Sequence, residues 1–365
     1  MPARGNLSVV FFCGDESPYG KAHLLPLLQG GFSLQTVVVP TPACWERFRK
    51  RLLGNEFHRQ KIEGGTAKLR SLLARTRAAL ESVRRSATPW ETLEAALSCP
   101  RVPTLCKEYG IPVCEITDVN ALDVVQWLAE QRPDLLLCAA YPQIFGSALL
   151  GTARHGGINF HPSLLPRCRG ANPIYWAIAT GEKETGVTAH YMTQELDAGD
   201  LVAQIPITIE EEDDYWSLYE KALRETPRLV KMVEAFFTIG RTSGFPQDAR
   251  DATTFREPRT LHRRLFWTSQ PAVALVRQVR AGEAYFIARG QWIGVRSAAF
   301  VATASILPND LLVPAGTVIA VGGGELILAV EGGGVAIRQA VYRGRPIAGA
   351  ALAARLGLHI GEILT

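Results

Sequence analysis

Two apolar runs, at 7–13 and 34–39, flank a segment that places Leu24, Leu25, Leu27 and Leu28 at helical spacing. A strand, a helix and a second strand in that order leave few options. Parallel strands need a long crossover, and a helix is the usual one. The opening therefore predicts an α/β fold with a doubly wound, mostly parallel sheet. The alternation resumes with strands expected at 112–115 and 134–139 around a helix at 119–130. The turn at 14–22 superficially resembles a phosphate-binding loop. It has one residue too many between its glycines and ends in Ala22, so it is read as a plain strand-to-helix turn. At 365 residues the chain should hold more than one domain, since single cores rarely grow far beyond about 250 residues.

The chemistry concentrates in 157–200. Gly157 to His161 reads as a strand, on which Asn159 and His161 share one face while Ile158 and Phe160 share the other. Pro162 and Pro166 stop it. Asn172 then stands where an N-cap would, with Pro173 at the first helical position. A further strand at 186–192 leads to the turn Leu196-Asp197-Ala198-Gly199-Asp200. An amide, an imidazole and a carboxylate meet the needs of acyl transfer without a metal. His161 can take the proton of an amine nucleophile. The Asn159 amide can bind the charge that develops on the carbonyl oxygen. Asp197 can orient the imidazole and favour its protonated form.

Asn159-x-His161-Pro162-Ser163-Leu164-Leu165-Pro166, then Arg169-Gly170, Pro173, Thr185-Gly186-Val187-Thr188 and Asp197-Ala198-Gly199, closely resembles the 10-formyltetrahydrofolate-dependent formyltransferases. That family includes methionyl-tRNA formyltransferase, the sugar amine N-formyltransferases and glycinamide ribonucleotide transformylase. The resemblance places the catalytic Asn, His and Asp on Asn159, His161 and Asp197, and implies 10-formyltetrahydrofolate as co-substrate. It implies that the folate ring lies against Tyr141, Pro142, Gln143 and Ile144, beyond the carboxyl end of a strand, and close to Asp197. Ser163, Arg169, Gly170 and Asn172 are the candidates for holding the acceptor.

Residues 45–90 carry twelve Lys and Arg against four Glu, a local excess of eight positive charges in a chain of net charge +4. Leu69, Leu72, Leu73, Leu80 and Val83 recur at roughly helical spacing, so a basic helical insertion is expected within 45–100. Such a segment is either a solvated face or an attraction for an anionic partner such as tRNA. Seven cysteines without a CxxC pair are expected as reduced thiols in the cytoplasm. No run approaches the roughly twenty apolar residues that span a bilayer.

Acids at 210–214 precede a helix expected at 215–239, with Pro227 expected to kink or split it. The stretch 240–262 reads as a linker. Alternating runs separated by glycine clusters at 322–324 and 332–334 then predict a small all-β domain over 263–365, which resembles the C-terminal open barrel of methionyl-tRNA formyltransferase. The catalytic domain is accordingly expected over 1–239. The leading expectation is an N-formyltransferase acting on a small primary amine, such as an amino sugar. Initiator methionyl-tRNA is the alternative acceptor, and a non-catalytic folate-binding protein is the alternative of another class.

Overall fold

The computed structural model describes residues 6–15, 17–44, 46–47, 101–302 and 313–364. The expected basic helices within 45–100 lie outside the described residues, except for Glu46 and Arg47. The chain divides into two compact units, one containing Met1–Gly170, Glu184–Thr208 and Tyr219–Phe255, the other Ala171–Lys183, Ile209–Leu218 and Arg256–Thr365.

The first unit is built on seven strands: β1 (Ser8–Cys13), β2 (Ser33–Pro40), β3 (Val113–Ile116), β4 (Leu135–Ala139), β5 (Gly157–His161), β7 (Glu184–Tyr191) and β8 (Leu201–Thr208). The short strands β6 (Arg169–Gly170) and β9 (Thr254–Phe255) pair apart from them. The sheet order is β3-β2-β1-β4-β5-β7-β8, parallel from β3 to β5 and antiparallel at β7 and β8. The doubly wound, mostly parallel sheet is thus as expected. Helices Pro18–Gln29 and Leu122–Gln131 supply crossovers, and Val9 to Cys13 and Leu135 to Leu137 are completely buried. The order in which strands are added reverses between β1 and β4, and ligands in such sheets sit beyond the carboxyl ends of strands at that point. The segment after Ala139 is therefore well placed to meet one. Ser17 caps the helix after Gly14 by accepting the Gly20 N–H, as a plain turn requires.

Of the kink or split expected at Pro227 the split does not occur: the helix Tyr215–Thr238 is continuous through it. Proline removes the N–H that would have bonded the carbonyl four residues back, that of Leu223. The Thr226 hydroxyl donates to that carbonyl at 2.8 Å. It also lies 3.3 Å from the carbonyl of Ala22, which Pro26 deprives in the same way within helix Pro18–Gln29. One fully buried hydroxyl thereby serves two helices interrupted by proline.

The second unit carries an antiparallel sheet of β10 (Ala284–Ala288), β11 (Gln291–Val301), β12 (Val318–Gly322), β13 (Glu325–Val330), β14 (Gly333–Tyr342) and β15 (Arg345–Ala348). Its path is β10-β11-β14-β13-β12, with β15 on β14, and its described ends do not pair with each other. Tight turns join β12 to β13 and β13 to β14 where the glycine clusters predict hairpins. Trp267, Phe286, Leu326, Ile337 and Leu352 fill the core beneath. Helix Pro173–Thr180, with Pro173, Ile174, Tyr175, Ala177 and Ile178 buried, packs here against helix Ala272–Ala281. Its apolar face explains why 171–183 groups with this unit rather than with the strand before it. Asp214 accepts the N–H groups of Trp216 and Ser217, so the acidic run caps a helix. Among the described residues no helix is long and apolar enough to cross a membrane.

Candidate active site

The pleat of β5 puts Asn159 and His161 on one face, and antiparallel pairing sets Asn159 opposite His190 and His161 opposite Thr188 on β7. The turn after β7 returns Asp197 to the same place. Asp197 adopts φ 52°, a left-handed conformation that a non-glycine residue rarely holds. Its carboxylate accepts the Gly170 N–H at 2.8 Å and faces His161 Nδ1 at 3.6 Å. The three residues picked out as catalytic therefore converge, and His161 and Asp197 are both buried.

Hydrogen bonding assigns a role to each ring nitrogen. His161 Nε2 is 2.9 Å from the carbonyl of Cys168, which can only accept, so Nε2 carries the hydrogen. In the neutral ring Nδ1 is then bare and turned toward Asp197. The ring is oriented by a backbone carbonyl, where the sequence reading assigned that task to the carboxylate. Asp197 instead stands beside the basic nitrogen, where it stabilises a proton once transferred. Burial lowers the proton affinity of His161 below the ordinary histidine value, with Asp197 and the Cys168 carbonyl opposing it. Burial acts to raise the Asp197 carboxyl, but His161, His190 and the Gly170 N–H outweigh it and hold it well below the usual carboxylate range. At neutral pH the site thus holds a free imidazole beside a carboxylate.

His190 went unnoticed in the sequence. Its Nδ1 donates to the Tyr191 carbonyl at 2.9 Å, and its Nε2 lies 3.4 Å from Asp197 Oδ1. That nitrogen is also 3.2 Å from Asn159 Nδ2, which contacts Asp197 Oδ1 at 3.4 Å. The carboxylate, which can only accept, fixes which end of the Asn159 amide is the donor. The available signal was the spacing of Thr188 and His190 on one strand face, but which strand lies opposite β5 is not readable from spacing.

Other expected site residues are placed differently. Ser163 is buried with its hydroxyl donating to the Arg167 carbonyl, so it shapes the loop after β5 rather than facing a ligand. Arg169 directs its guanidinium to Gln247 Oε1, at 3.1 Å from Nε and 2.7 Å from one terminal nitrogen. Gly170 contributes its N–H to Asp197; a Cβ there would sit 2.1 Å from the Phe255 carbonyl oxygen, and φ is 94°. Asn172 occupies the N-cap position at φ 55° without a side-chain cap, its amide 3.5 Å from Glu257. The left-handed backbone accounts for the missing cap, since capping side chains need an extended N-cap. The Tyr141 ring packs edge-on against Phe12 and Phe145, in the core. The Gln143 side chain bridges the Val119 N–H and the Thr117 carbonyl, while Ile144 is 63% exposed. The carbonyls of Tyr141 and Pro142 have no hydrogen-bond partner among the described residues.

A family model described as formyl transferase matches residues 89–233. The methionyl-tRNA formyltransferase of Geobacillus thermodenitrificans is 35% identical over 182 residues, covering 50% of this chain and 57% of that protein. Its namesake from Bacillus pumilus is 34% identical over 198 residues, covering 54% of this chain and 62% of the relative. The chain thus spans little more than half the length of the curated relatives it matches. The N-formyltransferase of Helicobacter canadensis, solved in complex with folinic acid and dTDP-3-aminofucose, shares the fold with a TM-score of 0.57 at 12% identity, over 91% of this chain and 98% of the other.

Proposed function

We propose that this chain, which a formyl transferase family model matches over residues 89–233, moves a formyl group from 10-formyltetrahydrofolate to a primary amine. The observation that carries this reading is the convergence of Asn159, His161 and Asp197 around one buried point, with His161 Nδ1 bare and 3.6 Å from the carboxylate. The folate supplies a formyl group on nitrogen. Its ring meets backbone rather than side chains at 141–144, which fits the carbonyls of Tyr141 and Pro142, without a partner among the described residues, and the bonded side chain of Gln143.

His161 takes the amine proton at Nδ1 as the new carbon–nitrogen bond forms, and Asp197 stabilises the resulting imidazolium. Asn159 supports the developing oxyanion. Its long contact to Asp197, 3.4 Å, is the hydrogen bond it can exchange for the formyl oxygen, while His190 keeps the amide from rotating. The proton held on His161 can then pass to the departing folate nitrogen. Arg169 and Gly170 act on the acceptor side through Asp197 rather than by direct contact.

The acceptor we favour is a small amine such as an amino sugar. The fold shared with an enzyme solved with dTDP-3-aminofucose supports it. The names of the curated relatives support a second acceptor, initiator methionyl-tRNA. The deciding experiment mixes the full chain with 10-formyltetrahydrofolate and a panel of amino sugar nucleotides, small amines and charged initiator tRNA, and follows release of tetrahydrofolate. Release with one acceptor class identifies the substrate. Tight folate binding without release across the panel would identify a binding protein instead. Acceptor binding that weakens steeply with salt points to tRNA, because phosphate contacts release counterions.

A further inference from the structure

Residues 240–262, expected as a linker, are held to the first unit as far as Phe255. The N–H of Phe245 bonds the Leu201 carbonyl at 2.8 Å and Leu201 returns the bond at 2.7 Å. Thr253 accepts the Cys168 N–H on its hydroxyl at 2.8 Å and the Arg169 N–H on its carbonyl at 2.8 Å. It therefore holds both sides of the residue whose carbonyl orients His161. Between these two anchors lies Gln247. Its Oε1 accepts from Nε and one terminal nitrogen of Arg169, and its Nε2 donates to the carbonyls of Asp197 at 2.9 Å and Gly199 at 2.8 Å. An amide has two donor hydrogens and two acceptor lone pairs, so every hydrogen-bonding site of this side chain is occupied.

We propose that Gln247 is a positioning residue for catalysis, acting through Asp197. Asp197 holds a left-handed backbone that is strained for a residue with a Cβ and persists only when its surroundings impose it. Gln247 bonds the carbonyl of that same residue and of Gly199 beyond it, and so clamps the turn from outside. From inside, Gly170 N–H fixes the carboxylate, and Arg169, the neighbour of Gly170, is itself fixed by Gln247. One side chain thus ties the two pieces of backbone that aim Asp197 at His161. No polar atom of Gln247 is left to meet substrate, so its effect should fall on turnover rather than on binding. The proposal rests on the formyltransferase reading for its kinetic consequence, but not for its effect on His161.

The test uses the full chain with Gln247→Ala and Gln247→Glu. The second keeps an acceptor for Arg169 and removes the donors to Asp197 and Gly199. His161 is titrated by NMR on histidine-labelled protein without substrate. In both variants its midpoint should move downward, because the nearby carboxylate that favours the imidazolium is no longer held in place. With the acceptor identified, turnover should fall about 10²-fold, the effect of a displacement near 1 Å in reacting groups, with KM within about threefold of wild type. A purely structural role would lower the unfolding midpoint and leave both the His161 titration and the turnover of the folded protein unchanged. That result would overturn the proposal, as would a Gln247→Glu variant indistinguishable from wild type. If no amine is formylated by the wild-type chain, the reaction assigned above fails, and the His161 titration still decides the role of Gln247.

Discussion

β5 and the 240–255 segment both reach the same few atoms, by opposite means. β5 presents Asn159 and His161 through local regularity: the strand alternates, and a two-residue spacing is enough to align them. The 240–255 segment contributes only a two-residue strand and a single turn of 3-10 helix, Ala249–Asp251. Its influence comes from isolated hydrogen bonds to residues about fifty or more positions away, such as those of Gln247 with Asp197 and Arg169. Regular elements supply reactive groups, and irregular backbone holds the turns that complete them.

The sharpest separation of the two regions is at His161. His161→Gln should lower turnover by roughly 10²–10⁴-fold, the usual contribution of a positioned acid–base group, with the unfolding midpoint little changed. Burial lowers the His161 pKa, so the base stays unprotonated below the ordinary histidine value of 6.5. In wild type, the acid limb of turnover at saturating amine should therefore have its midpoint below 6.5, as the folded imidazole takes up its proton. An acid limb at or above 6.5 assigned to the enzyme would place the base elsewhere.

That prediction concerns a residue legible from sequence, and the legible part has a physical boundary. Alternating strands and helices give the mostly parallel sheet, because each element announces its own period. Asn159 and His161 are visible because they share a strand, and Asp197 because it ends an ordered run of matched residues. His190 escapes for want of strand register. Gln247 and Thr253 escape because a Gly- and Pro-rich stretch has no period to read, and the bonds it makes depend on where distant carbonyls arrive. Arg169 and Ser163 illustrate the converse: polar side chains beside a reactive centre are readily taken as ligand contacts, whereas the structure uses them to hold backbone.

Gly170 tests the seam between the two regions. It pairs with Phe255 in the β6–β9 ladder while its N–H binds Asp197. Gly170→Ala would bring a Cβ to 2.1 Å from the Phe255 carbonyl oxygen, at a backbone angle that alanine adopts only with strain. The short ladder has to open, and the N–H then leaves the carboxylate. Turnover should drop roughly 10–10²-fold, and stability by about 1–3 kcal/mol. Unchanged kinetics with a destabilised fold would show that Asp197 does not depend on this bond.

The smallest effect on rate is expected at Thr226, which joins distant segments as Gln247 does but bonds helix carbonyls rather than the Asp197 turn. Thr226→Val keeps the volume and removes the hydroxyl that serves the carbonyls of Leu223 and Ala22, both deprived of an N–H by proline. A fully buried acceptor left without a donor costs about 1–3 kcal/mol. Urea unfolding should show a loss of that size, with turnover of the folded protein unchanged. Thr226→Ser retains the hydroxyl and loses only a methyl, so it should cost about 1 kcal/mol. If serine proved more damaging than valine, the contribution of Thr226 would be packing, and the continuity of the helix across Pro227 would need another source. If valine instead slowed turnover as Gln247→Ala is expected to, long-range joins in general would tune the site, and the distinction drawn for the 240–255 segment would fail.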